Sequence, residues 1–471
     1  MLKAKTCLYV HRYTGITKTI KEMGTIVLLM CVMIFIPEVA YGSSNWQYGA
    51  ILDAGSSSTK LKIYRWPPRT SLDSVLDIKQ VGESEKHSPG ISDYVDKLGN
   101  ISNYIGGMIE RVKEIIPKNV HSTTSLYLLA TAGLRVLPED DARSLMNAIR
   151  NVLQNKTLNP FVFNPSNVRI LSGEEEGVFA WITINYLKDY FGSDRPQSQA
   201  VGVLEMGGGS TQIVFLPDGP LLANMFQVRI AGKRYSLYAH SYLFYGQDYM
   251  IYRIGRYIIQ QNPQSSSHQN PCMLTGDTTT MIYMGATKTF IGEGNPSKCL
   301  TIINSFLKSA ADDMCYPKPC AIGRTYQPSI GTDNFYAIAA FTYAPRSLGT
   351  VDSSGKLNMS RLNETAFNYC QKSLTDATTN TSISEKYGSA YCLMGLYIPA
   401  LLSEAYGFTS ETQKITLIRK IKDISVDWTL GAIVYETEVF ETKCGTSAGH
   451  ISYPDICFIN ILLLLTYLMV R

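Results

Sequence analysis

The chain has 471 residues, of which 45% are hydrophobic and 17% charged; that is enough apolar material for sizeable cores and excludes a disordered or coiled-coil chain. A net charge of +4, from 43 Lys+Arg against 39 Asp+Glu, leaves no nucleic-acid footprint. At roughly 100–200 residues per domain the length fits about two to four domains, and strongly apolar runs occur only at the two ends, which excludes a multi-span transporter.

The first element is a targeting segment. Lys3, Lys5, Arg12, Lys18 and Lys21 form a basic flank, and Thr25 to Ile36 is apolar and uncharged. Ala40-Tyr41-Gly42 then places small residues where a cut before Ser43 needs them. Residues 1–42 read as a signal peptide or an uncleaved signal-anchor, and both put the rest on the lumenal or extracellular side. Tyr48 to Arg65 reads as strand, turn, strand, with the turn at Asp53 to Thr59. Ser125 to Ala130 is another strand. Asp140 to Leu153 is helical, with Leu145, Met146, Ile149 and Leu153 on one face. Val168 to Leu171 is a short strand, and Glu174 to Leu187 a helix carrying Val178, Trp181, Ile182 and Tyr186. Ala200 to Leu216 then repeats the opening pattern: strand, turn at Glu205 to Thr211, strand. The spacing between Asp53 and Glu205 is about one domain, which points to two similar α/β lobes offering hairpin turns to one cleft.

Cysteines agree with export. Of ten, Cys7 and Cys31 lie in the leader, none falls between Ser43 and Pro271, six follow from Cys272 to Cys392, and Cys444 and Cys457 close the series. Clustered even numbers in an exported chain imply disulfides, and the absence of C-x2-C pairs argues against zinc. Asn100, Asn155, Asn358, Asn363 and Asn380 head N-x-[ST] sequons.

The two turns carry the chemistry. Asp53 ends a strand, Gly55 permits close backbone approach, and Ser56, Ser57, Ser58 and Thr59 add hydroxyls beside backbone N–H groups, an array that binds phosphate oxygens. Gly207, Gly208 and Gly209 make a second cradle before Ser210 and Thr211. Neither turn fits a Walker or Rossmann motif. Glu174, Glu175 and Glu176 open a helix, where acids suit the dipole; one of them can also face a cleft as a general base. Phosphoanhydride hydrolysis needs such a carboxylate to orient and deprotonate water, and a divalent metal to offset phosphate charge. Asp53 and Glu205 are the metal-side acids, with hard oxygens that suit Ca²⁺ or Mg²⁺.

These stretches, with Ala130 to Arg135, Trp181 to Tyr186, Tyr235 to Ser241, Tyr391 to Gly395 and Asp427 to Gly431, resemble the ecto-apyrases, the nucleoside triphosphate diphosphohydrolases of the cell surface. The resemblance covers roughly residues 46–435. It implies two actin-like (RNase H-like) lobes, the first from 43–172 and 428–447, the second from 173–427, with a nucleotide between them. It implies hydrolysis of nucleoside tri- and diphosphates to the monophosphate. Glu176 matches the family's general base, and Ser210 and Gln212 its water-holding residues. Ser56, Ser57 and Ser58 with Gly207, Gly208 and Gly209 match its phosphate loops. Asp53, Thr131, Glu205 and Trp428 match positions around the metal and its waters, and Tyr343 can stack on the base. Read alone, Trp428 and an aromatic within Phe335–Tyr343 are core residues. The family pairs imply Cys272–Cys299, Cys315–Cys320 and Cys370–Cys392. Three positions depart from it: Glu205 stands for Asp, Ser58 for a frequent His, and Glu404 for an Arg near the base. A lumenal nucleoside diphosphatase and a weakly active nucleotide-binding protein are the alternatives.

At the C-terminus Ile456 to Val470 is apolar but, at about 22 Å as a helix, short against a ~30 Å bilayer core. Ser447-Ala448-Gly449 and a short polar spacer precede it. Residues 448–471 therefore read as a GPI-attachment signal or a second transmembrane helix.

Overall fold

The computed structural model describes residues 46–445 apart from 193–194, 308–313, 332–333, 380 and 410–413, with side chains as far as residue 438. The expectations for 1–42 and 448–471, for Asn380 and for the side chain of Cys444 lie outside the described residues. Among the described residues no helix is long and apolar enough to cross a membrane.

The opening strand–turn–strand is β1 (Gln47–Ala54) and β2 (Thr59–Trp66). A third strand, β3 (Lys79–His87), continues the antiparallel run; its polar, largely exposed residues hide it from a hydrophobic reading. Helix α1 (Ile101–Ile115), strand β4 (Ser125–Ala130), helix α2 (Glu139–Gln154) and strand β5 (Val168–Ile170) follow. Helix α2 begins one residue before the expected Asp140, because Glu139, Asp140 and Asp141 together face its N-terminal dipole. The sheet order is β3-β2-β1-β4-β5, with β1, β4 and β5 parallel.

Helix α3 (Gly173–Leu187) leads to β6 (Gly202–Met206), β7 (Ser210–Phe215), β8 (Met225–Ile230) and β9 (Lys233–Leu243). After helix α4 (Gln247–Gln261), the strands β10 (Ser267–Asn270), β11 (Thr278–Tyr283) and β12 (Ala286–Gly292) form a small side sheet. Helix α5 (Pro296–Leu307), strand β13 (Asn334–Ala339), helices α6 (Met359–Cys370) and α7 (Gly388–Ala400), strand β14 (Lys414–Leu417) and helix α8 (Trp428–Gly445) complete the chain. The second sheet runs β14-β13-β6-β7-β9-β8. Without the edge strand β8, its order and strand directions repeat those of the first sheet: β6, β7, β9, β13 and β14 take the places of β1 to β5.

Strand alternation decides which residues reach the space between the lobes. In β1, Ala50, Leu52 and Ala54 enter the outer core with α1 and α2, while Ile51 enters the core between the sheets. Asp53 shares the parity of Ile51. In β6, Leu204 and Met206 enter the second lobe's outer core and Val203 the middle one. Glu205 shares the parity of Val203. Two acids at the same register position therefore face the same gap. The middle core is closed by α3 and α8. Helix α3 is apolar around its circumference because it is buried on every side, and Gly431 lets α8 cross it: a Cβ there would lie 1.8 Å from the Phe179 carbonyl oxygen. Disulfides join Cys272 to Cys299, Cys315 to Cys320 and Cys370 to Cys392, all in the second lobe.

Candidate active site

Both turns close with the same bond. Gly55 N–H donates to the Ser58 carbonyl at 3.0 Å, and Gly207 N–H to the Ser210 carbonyl at 2.9 Å. They meet tip to tip: a Cβ on Gly208 would lie 3.2 Å from Ser56 Oγ, and one on Gly209 would lie 2.6 Å from the Ala132 Cβ. The glycines at 208 and 209 thus answer a close approach of chain to chain. The second turn is held from behind, its carbonyls at 207, 208 and 209 accepting from the N–H groups of Gln247, Asp248 and Phe244. Among the described residues no hydrogen bond engages the N–H groups of Ser56, Ser57, Gly208 or Gly209. Donors that point into a gap in this way suit phosphate oxygens.

The three glutamates at the head of α3 separate. Glu175 forms a capping box with Ser172 and pairs with Arg169 at 2.6 Å. Glu174 accepts from Ser241 N–H at 3.2 Å. Glu176 alone lines the cleft, buried and ion-paired with Arg135. Gln212 Nε2 donates to Ser210 Oγ at 2.8 Å, to Ser241 Oγ at 3.1 Å and to Glu176 Oε2 at 3.5 Å. Burial raises the Glu176 pKa, with Arg135 opposing, so its carboxylate is a stronger proton acceptor than a free one.

Asp53, Glu205, Asp248 and Asp427 complete the acidic lining of a cleft of about 540 Å³. Burial first, then Asp427 and Glu176, push the Asp53 carboxyl up to about 7 against the pull of Lys60 and Lys62. Glu205 is raised well above the carboxylate range, by burial and then by Glu176, Asp427 and Asp53. Burial acts on Asp427 too, but its ion pair with buried Lys62 outweighs it and holds the carboxyl low. Glu205 Oε2 and Gln212 Oε1 are buried without a hydrogen-bond partner. Orphaned hard oxygens among mutually repelling carboxylates fit a divalent cation of the Ca²⁺ or Mg²⁺ kind. Among the described residues no cluster of three His, Cys, Asp or Glu side chains is arranged to hold an ion directly.

Ser56, Ser57, Ser58, Thr131, Gly207, Gly208, Gly209 and Ser210 all line this cleft. Trp428 joins the middle core, as its residue type alone suggests, and lines the cleft as well. Tyr343 stands on the cleft wall, 46% exposed, whereas Phe335 is core. Glu404 lines a separate depression with Leu300 and Asn304. Lys60, Lys86 and Asp427 also line the cleft, and Lys62 and Arg135 ion-pair with its acids Asp427 and Glu176; the motifs did not single out these five. Lys60 and Lys62 share the inward parity of β2, and Arg135 and Asp427 sit inside stretches quoted for other reasons.

Two lobes of one strand order, each bringing a hairpin turn to a carboxylate-lined cleft, define an actin-like phosphate-handling protein. The chain belongs to the GDA1/CD39 (nucleoside phosphatase) family, whose model matches residues 39–448. It is similar to mouse ectonucleoside triphosphate diphosphohydrolase 1, at 31% identity over 90% of this chain and 87% of the relative. Human ectonucleoside triphosphate diphosphohydrolase 8 is 31% identical over 82% of this chain and 81% of its own. A crystal structure of nucleoside triphosphate hydrolases from Neospora caninum shares the fold with a TM-score of 0.62 at 15% identity, covering 89% of this chain and 97% of that one.

Proposed function

We propose that the chain is an apyrase that removes terminal phosphates stepwise from nucleoside tri- and diphosphates to leave the monophosphate. The observation that carries this is the meeting of Glu176, Ser210 and Gln212 beside two opposed turns with unengaged N–H groups. Glu176 takes the proton of an attacking water that Ser210 and Gln212 hold. The turn amides and the hydroxyls of Ser56, Ser57 and Ser58 hold the phosphate oxygens. Asp53, Thr131 and Glu205, with Trp428 alongside, would hold Ca²⁺ or Mg²⁺ largely through water, and the ion would offset phosphate charge. Tyr343 offers its ring to the base.

In the same reading 43–172 and 428–447 make the first lobe and 173–427 the second, a division that the composition of the two sheets supports. The enzyme faces the outside of the cell, anchored to the membrane. Three disulfides and the exposed sequon residues Asn100, Asn155 and Asn363 support the export, and the anchoring rests on the apolar ends of the sequence. Asn358 is exposed as well, and its Oδ1 caps α6 by accepting from Arg361 N–H at 2.9 Å.

The test is phosphate release from ATP, ADP, GDP, UDP and AMP with Ca²⁺, Mg²⁺ or a chelator. Both tri- and diphosphates should be consumed, AMP should accumulate, and chelation should stop the reaction. Release from GDP and UDP alone would make the protein a nucleoside diphosphatase. Nucleotide binding without release would make it a nucleotide-binding protein.

A further inference from the structure

Lys60 and Lys86 stand directly opposite each other on β2 and β3, and both line the cleft. Directly opposite residues share a face of the sheet, and like charges there repel. The Lys60 ammonium lies 3.9 Å from Asp53 and its side chain remains 45% exposed. Lys86 is exposed and, among the described residues, has no ion pair or hydrogen bond. The chain beyond Lys86 runs over the first turn: a Cβ at Gly90 would lie 2.4 Å from the Ser56 carbonyl oxygen. The lysine pair therefore borders the phosphate cradle. In the second lobe the same two register positions hold Gln212 and Ser241, which hydrogen-bond each other at 3.1 Å. There the pair is neutral and joined by a hydrogen bond; here two like charges stand directly opposite each other.

We infer that Lys60 and Lys86 form a cationic shelf that favours nucleoside triphosphates over diphosphates by taking up the charge of the additional phosphate. The inference rests on the hydrolase reading of the cleft. An anion held between two opposed ammonium groups removes their repulsion, and a triphosphate brings one more charged group than a diphosphate. Arg419, the cation that the second lobe adds to the cleft lining, has no such partner across a strand pair and serves as the control.

The experiment compares kcat/KM for ATP and ADP in the wild type, Lys86→Gln, Lys86→Arg and Arg419→Gln, since exposed Lys86 can change without loss of the fold. In Lys86→Gln the ATP-to-ADP ratio should fall about tenfold, the size of one charge-assisted hydrogen bond, mainly through the KM for ATP. Lys86→Arg should restore it. An equal fall for both nucleotides, an unchanged ratio, or the same fall in Arg419→Gln would overturn the shelf. Should the wild type release no phosphate from either nucleotide, the hydrolase reading fails by itself. The shelf is then read from thermal stabilisation by tripolyphosphate against pyrophosphate. Greater stabilisation by tripolyphosphate that Lys86→Gln abolishes would support it, and no difference in the wild type would overturn it.

Discussion

Across the first turn Asp53 pairs with Lys60 and across the second Glu205 pairs with Gln212, so the flanking strands are in matching register. Their chemistry is divided all the same. The second turn brings Ser210 and Gln212 to Glu176 and is braced by the start of α4. The first brings lysines, with Lys62 tied to Asp427 and Lys60 beside Asp53. A repeated scaffold thus fixes where a side chain points, and on the proposed reading the residue placed there decides whether it handles the water or the phosphate charge. Each change below tests one side of that division.

The largest effect belongs to the water side. Glu176→Gln keeps an oxygen for Arg135 to bond but cannot accept a proton, so phosphate release should fall about 10²–10⁴-fold. Glu175→Gln should leave the rate near wild type and cost at most about 1 kcal/mol through the capping box and its Arg169 pair. Phosphate-release assays and thermal melts on both variants check this. The opposite ranking would move the base to Glu175.

Next come the turn glycines, where geometry separates neighbours. A Cβ on Gly209 would meet the Ala132 Cβ at 2.6 Å, whereas at Gly207 the nearest atom would be 3.9 Å away. Gly209→Ala should therefore push the second turn away from Ala132, just past the end of β4, costing about 1–3 kcal/mol and most of the activity. Gly207→Ala should be tolerated. Gly208→Ala should fall between them, because the Asp248 carboxylate, 2.5 Å from its Cβ, ends a side chain that can swing away.

The duplicated strand–turn–strand was legible because an acid, a glycine turn and an apolar run recur at domain spacing. The same pattern marked Asp53 and Glu205 as cleft-side acids, but their strand parity was not legible, since Leu52 and Leu204 on the opposite faces are as apolar as Ile51 and Val203. Strand β3 was not legible: its sequence KQVGESEKH is polar on both faces, and an exposed strand position carries little hydrophobic signal. That is also why Lys86 went unseen. Asp427 is apart from Lys62 by 365 residues, and no local pattern reports a long-range ion pair. Tyr343 and Phe335 lie close in sequence, yet only backbone direction after β13 sends one to the cleft and the other to the core.

A smaller effect concerns the charge that the first lobe lends to the second. Arg135 follows β4 and reaches across to Glu176, pulling its pKa down against burial. In Arg135→Met that opposition is lost, so the Glu176 pKa rises further. The carboxyl then stays protonated to higher pH, and the acid limb of kcat/KM should move to higher pH. A limb that stays in place, or moves to lower pH, would show that another group sets it.

Glu205→Asp makes the second turn's acid the same residue as the first, and it should have the smallest effect of the four. Loss of one buried methylene costs about 1 kcal/mol, so the melting temperature should change little. The carboxylate, however, retreats by about one carbon–carbon bond length from the place where Glu205 Oε2 now lies unpartnered. Ca²⁺ accepts longer and more variable oxygen distances than Mg²⁺, which demands a near-octahedral shell. Moving one oxygen should thus shift the balance between the two ions rather than abolish binding. Stabilisation of the nucleotide-free protein by each ion, read as a melting shift, should change by a few-fold in apparent affinity for one relative to the other. The Ca²⁺-to-Mg²⁺ activity ratio should move in the same direction. If both readouts match the wild type, Glu205 lies outside the ion's shell, and the acids of the two turns differ in role as the rest of the turns do.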